Sequence, residues 1–266
     1  MDLELAGKVA IVTGGSRGIG KAIGRALARE GARVALVARD LAATQAAAAE
    51  LAAETKAEVL GFRADTGSDA EVKAVVDQIA GRFGRIDILV NCAAQPGGSA
   101  RVPKLADITD VDFWADMNIK VLGYIRTARE VAPHMKRLGW GRIVNISGLA
   151  ALRTGSIIGS VRNIGVAALT KNLADELGPD GVNVNCVHPG ATRTEKTDEQ
   201  TARAAASAGI TVDEMVRRRA QQNSVHRMIT AEEVADVVTF LASPKSFAIT
   251  GESIPVGGGT PGHIRY

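Results

Sequence analysis

Three glycines, Gly14, Gly18 and Gly20, stand in a G-x-x-x-G-x-G spacing in "TGGSRGIGKAIGRALA", directly after the apolar run "KVAIVTG". A strand, a tight glycine turn and a helix, in that order, let a backbone approach a pyrophosphate. The helix N-terminus then supplies N–H donors and the positive end of its dipole. Gly14, Ser16, Arg17, Gly18, Ile19 and Gly20 are therefore the expected phosphate contacts of a dinucleotide. At the end of the second apolar run, "RVALVAR", a carboxylate would hydrogen-bond a ribose 2′-hydroxyl and select NAD. The chain instead has Ala38 and Arg39 there, with Arg17 inside the loop. Two guanidinium groups suit a 2′-phosphate, which Arg grips through paired N–H donors, so NADP(H) is favoured over NAD(H). Asp40 comes one residue late for the ribose and reads as a cap of the following helix.

The elements that must position these groups are legible as an alternation. Strand-like runs cover 8–14, 33–39, 58–65, 86–93, 141–148, 182–190 and 252–259, and helical periodicity covers 18–30, 41–55, 68–82, 112–138, 159–178 and 231–242. Near-continuous Val/Ile/Leu strands separated by helices predict an α/β fold: one doubly wound, Rossmann-type parallel sheet with helices on both faces, as a single domain over 1–266. The Thr-, Ala-, Gln- and Arg-rich stretch 191–228 breaks the alternation and reads as a helical lid over a ligand crevice.

Composition bounds the alternatives. With 266 residues, 46% hydrophobic and 23% charged, the chain fits a globular protein with a full core. The net charge of +3 comes without a basic run able to track nucleic acid, because Arg217, Arg218 and Arg219 fan around a helix. No apolar run reaches the roughly 18 residues of a membrane span. The start "MDLELAGKVAIVTGG" runs into a strand without a signal peptide, so a cytoplasmic protein with Cys92 and Cys186 as buried free thiols is expected. No His/Cys/Asp/Glu grouping has metal-ligand spacing, and no metal is expected.

The segments "TGGSRGIG", "ADT" ending at Thr66, "VNCAA" (90–94), "MNIKVLG", "GRIVNIS", "NCVHPGATRT" and "ITGESIPVGGG" together resemble the short-chain dehydrogenase/reductase family, in order and over almost the whole chain. The resemblance implies that Asp65 and Thr66 lie by the adenine, and that Asn91, Ala93 and Ala94 back the cofactor. It further implies that Pro189, Gly190, Thr192 and Thr194 hold the nicotinamide end, and that the protein is a homodimer or homotetramer acting on a small molecule. In that family a Tyr-x-x-x-Lys pair, assisted by a Ser and an Asn, moves the proton that accompanies hydride transfer. Residues i and i+4 share a helix face, so the Lys cation lowers the phenol pKa from about 10.

That pair is missing here. Counting back from Lys171 in "VAALTKNLADEL" (166–177) places the Lys position at Asn163 and the Tyr position at Gly159. No shift of register restores it, because the chain's two tyrosines are Tyr124 and Tyr266. Asn163 can still reach a ribose hydroxyl, and Gly159 leaves space where a phenol would stand. Asn118 and Ser147 remain as the candidate catalytic members, with Gly148 at the place of a second serine. His188 is weighed as a proton source and reads as a packing residue; Arg162 is expected to face a partner subunit. Ser156, Ser160, Arg153 and Glu195 lie near the expected crevice in sequence.

Three functions are compatible with these residues. The first is an NADP(H)-dependent oxidoreductase with a non-standard proton route. The second is a catalytically silent NADP(H)-binding sensor or partner subunit. The third is a non-redox lyase, dehydratase or hydrolase on the same scaffold.

Overall fold

The computed structural model describes residues 1–95 and 102–261. Seven parallel strands form one sheet in the order β3-β2-β1-β4-β5-β6-β9. They are β1 (Val9–Thr13), β2 (Arg33–Ala38), β3 (Val59–Arg63), β4 (Ile88–Asn91), β5 (Gly141–Ile146), β6 (Val182–Pro189) and β9 (Ser253–Val256). The short β7 (Thr192–Arg193) and β8 (Ile229–Thr230) pair separately. Strand order reverses between β1 and β4, and in open α/β sheets the ligand crevice opens beyond the strand ends at such a switch point.

Strand side chains alternate between the two faces, which is why the sheet has two cores. Ala10 and Val12 point to the layer of α1 (Gly18–Arg29), α2 (Leu41–Thr55) and α9 (Ala231–Leu241). Val9 and Ile11 point to the layer of α3 (Asp69–Phe83), α5 (Gly123–Leu138) and α6 (Ile157–Leu177). Both faces of β1 are thus covered, and all five of its residues are buried. The helix starts follow N-capping chemistry. Asp40 accepts the Ala43 N–H and Ser156 the Gly159 N–H, both at 3.0 Å.

Two places differ in detail from the sequence reading. The expected helix over 112–138 is interrupted. α4 (Asp110–Met117) passes into a π turn at Asn118–Leu122 before α5 begins. The wider turn is pinned by Arg126, whose Nη1 donates to the Asn118 carbonyl at 3.0 Å and to the Thr66 carbonyl at 3.2 Å. The stretch 191–228 holds α7 (Glu195–Ala208) and α8 (Val212–Ala220). On α8, Arg217 and Arg218 both pair with Glu214 and face solvent, whereas Arg219 turns inward. Among the described residues, no helix is long and apolar enough to cross a membrane.

Candidate functional site

The glycine loop and the ends of β2, β3 and β4 enclose a cleft of about 650 Å3. Of the residues expected at a cofactor, Gly14, Ser16, Arg17, Gly18, Ile19, Gly20, Arg39, Asp65, Thr66, Ala93, Ala94 and Thr194 line it. The glycines are needed for distinct reasons. A Cβ on Gly20 would lie 2.2 Å from the Gly14 carbonyl oxygen, and Gly14 itself has φ +67° with Ala93 backbone 3.0 Å from its Cβ position. Gly18 opens α1 at φ +54°, and no side chain caps that helix, so its first-turn N–H groups remain for an anion. Thr13 Oγ1 accepts the N–H groups of Cys92 (3.0 Å) and Ala93 (3.1 Å), locking the β4 exit against β1. This cradle fits a dinucleotide pyrophosphate.

At the far end of the cleft Arg17 and Arg39 are exposed, and neither forms an ion pair among the described residues. Asp40 is spent as the α2 cap, as its position implied. Lys196 lines the same cleft and was not singled out in the sequence, where it reads as one more charge on a solvated helix. Burial, and then the Arg17 charge, lower its pKa.

Asn91, Asn163, Pro189, Gly190 and Thr192 do not line this cleft. Asn91 is buried beneath it, donating to Asn145 Oδ1 at 3.0 Å and accepting from Thr127 at 2.6 Å. Thr192 is buried and donates to the Gly190 carbonyl at 3.2 Å. Pro189 and Gly190 line a second cleft over the ends of β5 and β6.

The chemical end is rearranged relative to the sequence expectation. Asn118 is not brought to Ser147. Its Nδ2 donates to the Gly67 carbonyl at 3.3 Å, and its Oδ1 accepts from Arg126 Nη2 at 2.9 Å. The residue that reaches the centre is Lys120. Its Nζ donates to the Ser147 carbonyl at 2.9 Å and to Asn163 Oδ1 at 3.1 Å. Ser147 Oγ in turn donates to the Asn163 carbonyl at 2.9 Å. Lys120, Ser147 and Asn163 are 4%, 7% and 1% exposed, so the cluster is nearly dry. Burial, reinforced by the nearby Arg162 charge, brings the Lys120 pKa down to about 7. In the sequence, the one signal for Lys120 is a lone cation inside the apolar run from Ile119 to Leu122.

Ser156 Oγ lies 2.9 Å from where a Cβ on residue 159 would stand. His188 is buried, with Nδ1 3.1 Å from the Gly148 carbonyl, which fixes that nitrogen as the donor. Tyr124 is also buried; its hydroxyl donates to the Ile146 carbonyl at 2.9 Å, and burial pushes its pKa up. Tyr266 lies outside the described residues. Arg162 pairs within the chain with Asp116 of α4, its Nη1 contacting both carboxylate oxygens at 2.6 and 2.7 Å. Among the described residues, no group of His, Cys, Asp and Glu is placed to hold a metal ion.

Comparison with known proteins agrees with this architecture. The family model described as enoyl-(acyl carrier protein) reductase matches residues 14–261. The chain is 36% identical to the short-chain reductase protein NovJ of Streptomyces niveus over 76% of this chain and 74% of that one. It is 32% identical to the 3-oxoacyl-[acyl-carrier-protein] reductase FabG of Aquifex aeolicus, over 97% and 99%. Its fold matches L-sorbose reductase from Gluconobacter frateurii, solved with NADPH and L-sorbose, with a TM-score of 0.92 at 29% identity over 99% and 100% of the chains. The family-model match over residues 14–261, these relatives and the seven-stranded parallel sheet make the chain a member of the short-chain dehydrogenase/reductase family of oxidoreductases.

Proposed function

We propose that this protein is an NADP(H)-dependent oxidoreductase of small organic substrates in which Lys120 handles the proton. The observation that carries the reading is the contact of Lys120 Nζ with Asn163 Oδ1 and the Ser147 carbonyl, at the C-terminal end of β5. A nicotinamide, when bound, supplies or accepts the hydride. Gly14 to Gly20 and the α1 N-terminus would hold its pyrophosphate, and Arg17 and Arg39 its 2′-phosphate. Asp65 and Thr66 would stand by the adenine.

This chain's own part is proton handling. An amine titrating near pH 7 is both a competent acid and a competent base at neutral pH. An ammonium carries three N–H donors, and its two contacts use two of them. The third serves a substrate oxygen or a bridging water. Asn163 and Ser147 orient the amine, and Arg162 keeps its proton labile. The arrangement exchanges the usual positions of charge and amide: the cation comes from the π turn, and the amide sits on α6. α7 and α8 would close over the substrate as a lid. The apolar stripe of Ile157, Val161 and Ile164 on α6, 40–50% exposed, suits pairing with a second copy.

The test is direct. Wild-type protein should bind NADPH by fluorescence titration and oxidise it in the presence of some member of a carbonyl, enone and imine panel. The rate should depend on a group titrating near pH 7. Lys120→Met should lose roughly 10²- to 10⁴-fold in kcat and that inflection, with NADPH affinity retained. Tight NADPH binding with no turnover on any class would instead favour the silent sensor or partner subunit.

A further inference from the structure

The second cleft, about 450 Å3, opens over the ends of β5 and β6 and is lined by Gly148, Pro189 and Gly190. Gly148 directly follows Ser147 in the chain, so a molecule held here adjoins the Lys120 cluster. The size is that of a small-molecule site. Its polar lining is cationic: Arg153 enters from the loop before α6 and Arg219 from α8. Both are half-buried, and neither forms an ion pair among the described residues. Each guanidinium has five N–H donors. Arg153 Nη2 meets Thr260 Oγ1 at 2.9 Å, and Arg219 Nη1 meets Thr201 Oγ1 at 2.7 Å. These hydroxyl contacts orient the guanidinium groups without neutralising them. Two like charges drawn into one cleft repel and lose hydration, a cost that an anion between them removes.

A second, independent feature lies in the same wall. Asn223 lines the cleft, is 7% exposed, and donates from Nδ2 to the Arg227 carbonyl at 2.8 Å. That bond fixes the amide orientation. Its Oδ1 is buried with no hydrogen-bond partner, an acceptor waiting for a donor. We infer that this cleft takes an anionic substrate, a carboxylate or phosphate held between Arg153 and Arg219, with a hydroxyl or N–H of the same molecule donated to Asn223 Oδ1. The inference rests on the oxidoreductase reading only for what happens next to Ser147; the anion contact stands by itself.

The probes are matched pairs: short 2-oxo and 3-oxo acids against their methyl esters, and dihydroxyacetone phosphate against dihydroxyacetone. Each is titrated calorimetrically into the full chain, with and without NADPH. The charged member of at least one pair should bind tenfold or more tighter than its neutral partner. Carboxylate or phosphate is identified by which pair shows it. Arg153→Gln and Arg219→Gln should each erase most of that preference with NADPH affinity unchanged, and Arg153→Lys should restore part of it. Equal binding of neutral members, no binding of any charged member, or Gln variants that keep the preference would overturn the inference. Acids that bind without oxidising NADPH would leave the anion cleft standing and sink the redox reading. Turnover confined to neutral members would do the reverse.

Discussion

The Ser156 hydroxyl accepts the Gly159 N–H at 3.0 Å and lies 2.9 Å from where a Cβ on residue 159 would stand. Ser156 is the N-cap of α6 and Gly159 its third helical residue, so any side chain at 159 leaves the helix beside the cap. A side chain on residue 159 must share the first turn with that cap, a contact worth about 1 kcal/mol to a helix.

A conventional proton pair should consequently not return by two substitutions. Gly159→Tyr with Asn163→Lys brings a second ammonium against Lys120 in a buried cluster, where like charges oppose each other's ionisation. The double variant should unfold at lower temperature than wild type and show no ketone reduction. Adding Lys120→Asn should recover stability and yield measurable ketone reductase activity. Activity in the double variant equal to that of the triple would contradict this account, as read by NADPH oxidation and thermal unfolding.

Stability should carry the signature of Lys120. Its folded pKa, about 7, lies below the 10.5 of an ordinary lysine, so the folded state binds fewer protons between those values. Charging the buried amine costs most below pH 7, and the cost fades as pH rises toward 10.5. Wild-type stability relative to Lys120→Met should therefore improve with pH across that window, with a slope approaching about 1.4 kcal/mol per pH unit for one proton. Denaturant titrations at a series of pH values between neutral and pH 10 measure it. A flat difference would mean that Lys120 titrates normally.

Cofactor choice should depend on Arg39. Removing its side chain as Arg39→Ala takes away charge-assisted contacts to a 2′-phosphate, each worth about 1.5–3 kcal/mol. NADPH affinity should fall by tenfold or more while NADH affinity changes little. An unchanged ratio of the two, by fluorescence titration, would move the preference away from this residue.

Gly20→Ala should abolish nucleotide binding and lower the unfolding temperature together. The added Cβ would meet the Gly14 carbonyl at 2.2 Å, and only movement of the loop away from α1 relieves it. Gly81, with open space around its Cβ position on α3, is the control: Gly81→Ala should leave NADPH affinity intact.

Much of this protein was determined by its sequence alone. The near-continuous apolar strands, the helical stretches between them and the glycine turn after β1 state a local physics that survives in any context, so the parallel sheet and the turn that opens α1 were legible. That no tyrosine stands between Tyr124 and Tyr266 was legible too. Only the tertiary structure decided what stands in the gap. Asn118 had read as a candidate catalytic residue. The π turn over Asn118–Leu122 adds a residue to one turn and rotates the side chains that follow. Lys120 is carried inward, and Asn118 is turned to Gly67 and Arg126. An α-helical period cannot report that rotation. Nor can a sequence report that a lysine is dry, because burial is a property of what packs around it: Ser147 from β5, Asn163 from α6, and the Arg162 charge beside them.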